Sequence, residues 1–486
     1  MNRVQTLLFL LLLSIAGRSQ DFKLFVHLDT AAKQPLTGRL YVFSATDTSK
    51  SVQDPDPFEP TPTFYKDVRN WQSGTTQLFD ANAKAYPIAF SQLKPGFYKF
   101  AAVLDVDTIE RVNTHTPGNW YSRDVKVEVK PGNEAHIYLI RKFNARPFAE
   151  RDSIKLLSLK STMLSRFHKM DVFVKAGVIL PANYGKDTSI RYPLVFIIPG
   201  WGGVHYDALG AGPATRYGTR TGKDKIYVYL NPETQTRYGL HAFVDSRVNG
   251  PWGKSLVEEV VPYLCSQYRA NPDPGQHFVM GQSSGGYGAL WLQLNYPKAF
   301  GGCWAVSPDP VDFSDFTSAN IYDKDANLYY DKAGQLRPFF LMDGKYMSSI
   351  KRFAEVEDFL GDGGQMQSFE AEFGQPDKQG RPRILFDRVT GRIDPKVALS
   401  WKPYDLGNLL LTNYKKLAKD IDQKVHVYAG AEDNFYLDRS VKLFKEKATQ
   451  VKANITVELI PKANHWSIWN EAFTQRIQRE LDERIR

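Results

Sequence analysis

The stretch Gly281-Gln282-Ser283-Ser284-Gly285-Gly286 constrains the fold more than any other part of the chain. The apolar run His277 to Met280 precedes it, and Tyr287, Leu290, Trp291 and Leu294 follow at helical spacing until Pro297. A strand that turns into a helix within two or three residues pushes the middle residue out of the turn, and only small neighbours tolerate that approach. Gly281 and Gly285 meet this demand. Ser283 is then the tip of a sharp turn, next to the free N–H groups and partial positive charge of a helix N-terminus. A nucleophilic serine requires this setting, and the backbone N–H of Ser284 becomes one donor to an oxyanion.

The surrounding pattern agrees with such a turn. Leu194 to Ile198, Ile226 to Leu230, Cys303 to Val306, Val425 to Tyr428 and Ile455 to Ile460 are continuous apolar runs, as expected of strands buried on both faces of a parallel sheet. Helical patterns lie between several of them. One covers Lys254 to Arg269, where Pro262 should bend or shift the helix, and the last places Trp469, Phe473, Ile477, Leu481 and Ile485 four apart. Residues 154–486 therefore read as an α/β domain with a mainly parallel sheet. The stretch of about 311–420 interrupts the alternation and reads as a cap or insertion with its own packing. Ahead of it, residues 20–143 read as a small all-β domain, an antiparallel sandwich of short strands separated by turns such as Lys94-Pro95-Gly96 and Lys130-Pro131-Gly132-Asn133. Asp54 to Pro62 reads as a long acidic, Pro-rich loop, and residues 144–153 as a linker.

Residues 1–19 have the layout of a secretory signal peptide: a short positive start, an apolar run from Thr6 to Ala16, then small residues. That run is shorter than the ~20 residues a membrane span needs, so the expectation is a periplasmic or secreted protein without a membrane span. The net charge of +9 is scattered, with no Lys/Arg block, which argues against a nucleic-acid partner. Cys265 and Cys303 either form one disulfide or remain separate buried thiols. No metal-ligand spacing, dinucleotide fingerprint or Walker loop occurs, so no cofactor is expected.

A serine nucleophile needs a base, and in this architecture the chain order is serine, acid, histidine. Two of the nine histidines follow Ser283. His426 lies inside a strand-like run, whereas His465 follows a late run and precedes the last helix, so His465 is the expected base. The loop after Val425 to Tyr428 holds Glu432 and Asp433. Asp433 is the expected acid, with Glu432 the alternative. The second oxyanion donor is expected from Pro199-Gly200-Trp201-Gly202-Gly203, at Trp201 or Gly202.

With these residues in place, the chain from about Leu156 onward resembles the esterase D-like family of α/β-hydrolases. That family includes feruloyl and acetylxylan esterases, siderophore esterases and secreted mycolyltransferases. Tyr192 to Gly203, Asp245-Ser246, Gly250-Pro251-Trp252-Gly253, Pro297-Lys298-Ala299-Phe300, Ser307-Pro308 and His465-Trp466 carry the resemblance. The departures are Pro199-Gly200 in place of a common His-Gly opening, and the long insertion. The resemblance implies the triad Ser283, Asp433 and His465 and a serine carboxylic ester hydrolase. A carbohydrate ester, acetyl or feruloyl, is the expected substrate, with Trp201, Tyr206 and Trp401 as aromatic binding residues. The alternatives are a siderophore esterase, an acyltransferase or a peptidase on the same triad, or a non-enzymatic carbohydrate-binding protein.

Overall fold

The computed structural model describes residues 22–46, 52, 58, 60–107, 115–361 and 363–486. The expected leader at 1–19 lies outside the described residues, as do 53–57 and 59 of the Pro-rich stretch. The chain forms two compact units, and the first ends at Phe143, where the sequence changes character.

In the first unit the alternation of apolar residues sets the architecture. Lys23–Leu28 buries every second side chain, and Glu134–Leu139 does the same. These strands and Thr76–Phe79 form a three-stranded sheet. A seven-stranded sheet is built around Gly96–Asp105, Leu36–Ala45 and Thr63–Trp71. Val26, Ile137, Leu40 and Phe100 belong to one apolar core, as a sandwich requires. One pair departs from the antiparallel expectation: Lys23–Leu28 runs parallel to Glu134–Leu139. A parallel pair needs a long connection, and most of the unit lies between these two strands.

The second unit is organised by an eight-stranded sheet. Its strands are β1 (Ile154–Lys160), β2 (Phe173–Ile179), β3 (Leu194–Ile198), β4 (Ile226–Leu230), β5 (His277–Ser283), β6 (Gly302–Pro308), β7 (Val425–Gly430) and β8 (Thr456–Ile460). They lie in the order β1-β2-β4-β3-β5-β6-β7-β8. β2 is antiparallel to both neighbours, and the pairs from β4 to β8 are parallel. β3, β4, β6 and β7 are buried along their whole length, which is why each reads as an unbroken apolar run.

The helices that matter for the site are α1 (Ser284–Asn295), α2 (Leu406–Ile421), α3 (Leu437–Gln450) and α4 (Glu471–Asp482). α1 is buried from Ser284 to Leu294 and not on one face alone. The interruption after β6 explains this. Phe313, Phe369, Phe373 and Trp401 from that region share one apolar core with Phe196 and Leu290. These aromatics pack on one another, with Phe373 5.2 Å from Phe313 and 5.8 Å from Phe369, and the same cluster reaches α1, where Phe373 lies 5.1 Å from Tyr287. The expected end of the insertion shifts, because Leu406–Ile421 is the crossover helix α2 between β6 and β7. At Pro262 the helix loosens as expected. Leu256–Val260 is a π-helical turn in a helix that runs on through Val261–Gln267, and the widened turn just before Pro262 makes room for its ring. Cys265 and Cys303 are both free thiols, and burial pushes Cys303 up to about 12.

Candidate active site

Ser283 stands where β5 meets α1, with φ 57° and ψ −127°. Few non-glycine residues occupy that region, and strain of this kind gathers at functional sites. The flanking glycines explain how the turn closes. A Cβ on Gly285 would lie 1.9 Å from the carbonyl oxygen of Ile198, and one on Gly281 would lie 2.3 Å from that of Gly285. At the same turn the β5–β6 register shifts, pairing Ser283 with Pro308.

His465 follows β8, and its Nδ1 lies 2.8 Å from Oδ2 of Asp433, which follows β7. Both groups are buried, whereas Glu432 is exposed. Neighbours hold the residue: the backbone N–H of His465 donates to Asn434 Oδ1 at 3.1 Å, Gln282 donates through Nε2 to the His465 backbone carbonyl, and Phe435 packs edge-on against the ring at 5.0 Å. His426 is elsewhere, stacked on Trp304 at 5.0 Å, and burial lowers its pKa to about 4.

Ser283 and His465 line a cavity of about 320 Å³. Pro199, Gly200, Trp201 and Gly203 form part of its wall, and Phe339, Phe353, Phe369, Phe435 and Trp466 make much of it apolar. Gly200 lies against the nucleophile, since a Cβ there would be 3.1 Å from Ser283 Cβ. Gly202 has φ +89°, so the loop needs glycine at that point. Of the expected aromatic contacts, Trp201 reaches the cavity. Tyr206 lines a neighbouring cavity instead, and its hydroxyl donates to the Arg146 carbonyl at 2.6 Å. Trp401 does not line the cavity. It is 1% exposed, packed edge-on against Phe316 at 5.5 Å and Phe373 at 5.3 Å, and serves the core.

Asp309 and Phe58 are two of the cavity residues that the sequence reading did not single out. Asp309, just past Ser307-Pro308 on β6, accepts a hydrogen bond from Ser283 Oγ at 3.1 Å and one from Ser284 Oγ at 2.5 Å. Gln365 Nε2 donates to the same carboxylate at 3.2 Å. Burial pushes Asp309 up to about 6, against the pull of the Ser284 and Ser283 hydrogen bonds. Its position at the carboxyl end of the strand beside the elbow, where ligands gather in such sheets, was the available signal. The other residue is Phe58, which counts with the second unit. It lines the cavity and stacks on Phe340 at 4.4 Å and Phe353 at 5.6 Å. An aromatic in a Pro-rich acidic stretch gives no spacing signal. Among the described residues no cluster of His, Cys, Asp and Glu suits a metal ion.

Residues 168–479, well over half of the chain, match the family model described as "Putative esterase". The chain belongs to this family. It is therefore an esterase of the α/β-hydrolase fold, with a serine at its elbow. Comparison with curated protein sequences gives no match. Among solved structures, this esterase is similar to a ferulic acid esterase at 14% identity, with 68% of this chain and 97% of the other covered and a TM-score of 0.41. An S-formylglutathione hydrolase from Agrobacterium tumefaciens is 15% identical, with 70% and 98% covered and a TM-score of 0.42. MPT51 from Mycobacterium tuberculosis is 15% identical, with 69% and 100% covered and a TM-score of 0.40.

Proposed function

We propose that this esterase cleaves acyl esters of carbohydrates outside the cytoplasm, using Ser283 as nucleophile, His465 as base and Asp433 as the group that orients His465. The observation that carries the reading is the shared cavity: the strained serine, His465 and the glycine loop all border one largely aromatic space, and Asp433 holds His465 from behind. The apolar leader pattern at 1–19 supports export.

In the chemistry proposed, Ser283 Oγ attacks the ester carbonyl while His465 Nε2 takes its proton. Asp433 holds Nδ1 and stabilises the imidazolium that forms. The negative charge on the carbonyl oxygen falls to the N–H groups of Ser284 and of Trp201 or Gly202. The alcohol leaves with the proton from His465, and water then releases the acid from the acyl-serine by the same route. Asp309 sets one condition. The single proton of Ser283 points to its carboxylate in the resting site and has to turn toward His465 before attack.

Flat aromatic walls suit both a sugar ring and a feruloyl group, because each offers apolar faces. The test is turnover on acetylated xylan oligomers, feruloyl arabinose, a catecholate trilactone and a peptide ester. The reading expects the sugar esters to lead. A preference of about tenfold or more for the trilactone or the peptide, about 1.4 kcal/mol in transition-state binding, would reject it.

A further inference from the structure

A second cavity, of about 570 Å³, adjoins the one over Ser283, and Asp207, Arg216 and Tyr229 belong to the walls of both. Three guanidinium groups border it: Arg146, Arg151 and Arg216. All three residues are exposed. Among the described residues, ion pairs engage Arg39, Arg381, Arg388, Arg476 and Arg486, and none engages these three. Glu150, the acidic neighbour in sequence, is turned to the N–H of Leu156 at 2.8 Å and to Lys155 at 3.9 Å. The single carboxylate on the wall, Asp207, accepts the N–H of Val204 at 2.9 Å.

The cationic side is also anchored. The Arg146 guanidinium lies 5.2 Å from the centre of the Tyr206 ring, whose hydroxyl holds the Arg146 backbone. Phe148 packs against Tyr206 at 5.8 Å. Such stacking limits how many positions the guanidinium takes, so less freedom is lost when it binds. Three positive charges and one negative charge around a concave space create a field that draws an anion. The fork of a guanidinium matches the paired oxygens of a carboxylate or a sulfate.

We propose that this cavity is a subsite for an anionic group, a carboxylate or a sulfate, carried on the oligosaccharide whose ester lies over Ser283. The proposal rests on the reading of the cavity over Ser283 as an ester-hydrolase site. A substrate seated there reaches the arginines by extending past Asp207, Arg216 and Tyr229. The preferred sugar esters are then those of acidic oligosaccharides.

The test uses the full chain and acetylated xylo-oligosaccharides of one length: a neutral one, one with a uronic acid branch, and one with a sulfate. Each is assayed at low and high salt with the wild type, with Arg146→Gln/Arg151→Gln, and with the corresponding double lysine variant. The expected result is a kcat/KM for an anionic oligomer about tenfold or more above the neutral one at low salt, carried by KM and shrinking as salt screens the charges. The glutamine variant brings the ratio close to one, and the lysine variant keeps part of it. Preference for the uronate over the sulfate, or the reverse, names the anion. A wild-type ratio near one, a ratio unchanged in the glutamine variant, or turnover of 4-nitrophenyl acetate with none of any oligomer would overturn the subsite. A wild type inactive on 4-nitrophenyl acetate as well would overturn the ester-hydrolase reading itself.

Discussion

A buried carboxylate beside a nucleophile opposes the negative charge that builds there, and Asp309 occupies that place. Burial raises it from its ordinary 3.8 to about 6. Below the ordinary value it is protonated in both folded and unfolded chains. Between about 4 and 6 the unfolded chain ionises first, and stability is lost as pH rises through the folded value. Above it the loss is complete, roughly 3 kcal/mol. Asp309→Asn is therefore expected to raise the melting temperature at pH 8 and to leave it unchanged at pH 4; a larger gain at acid pH would reverse the argument. The two late histidines separate in the same way. His465→Ala should abolish ester turnover, whereas His426→Ala should retain it and lower stability, since His426 fills a slot against Trp304. Steady-state kinetics with thermal melts of both variants checks this. The placement of Ser283 at the turn and the pairing of Asp433 with His465 were legible because chain order and strand position restrict them. Asp309 was not, because an acid after Ser-Pro has no diagnostic spacing, and its contact arises from the register between β5 and β6.

At the scale of elements, the elbow depends on backbone contact between β3, β5 and α1. Gly285→Ala places a methyl against the Ile198 carbonyl, which cannot retreat without shifting β3. The expected cost is about 3 kcal/mol or more, read as a lower denaturant midpoint with loss of turnover. An unchanged midpoint would mean that strand and helix are less closely locked than described. The strands of the sheet were legible because burial on both faces leaves continuous apolar runs. The insertion was legible only in part. Phe313, Phe369 and Phe373 pack on one another, but nothing in sequence indicates that Phe373 also reaches Tyr287 on α1. The parallel pair of Lys23–Leu28 with Glu134–Leu139 was missed because pairing between distant segments has no local signal.

At the scale of the whole molecule, the division into two units follows the change in sequence pattern near residue 143, but Phe58 crosses that division in sequence. It packs on Phe340 and Phe353 at the cavity. Phe58→Ala is expected to raise KM several-fold for a feruloyl ester and much less for an acetyl ester, since an aromatic face is worth roughly 1 kcal/mol to a ring stacked on it. Equal effects on the two esters would remove it from the substrate contacts. The proposed chemistry rests on one serine at the elbow. The most direct measurement is hydrolysis of 4-nitrophenyl acetate by the wild type and by Ser283→Ala, with circular dichroism recorded on both. Superimposable spectra and a fall in turnover on the order of 10⁴-fold or more are expected. A variant that is folded and still turns over at the wild-type rate would contradict the role of Ser283.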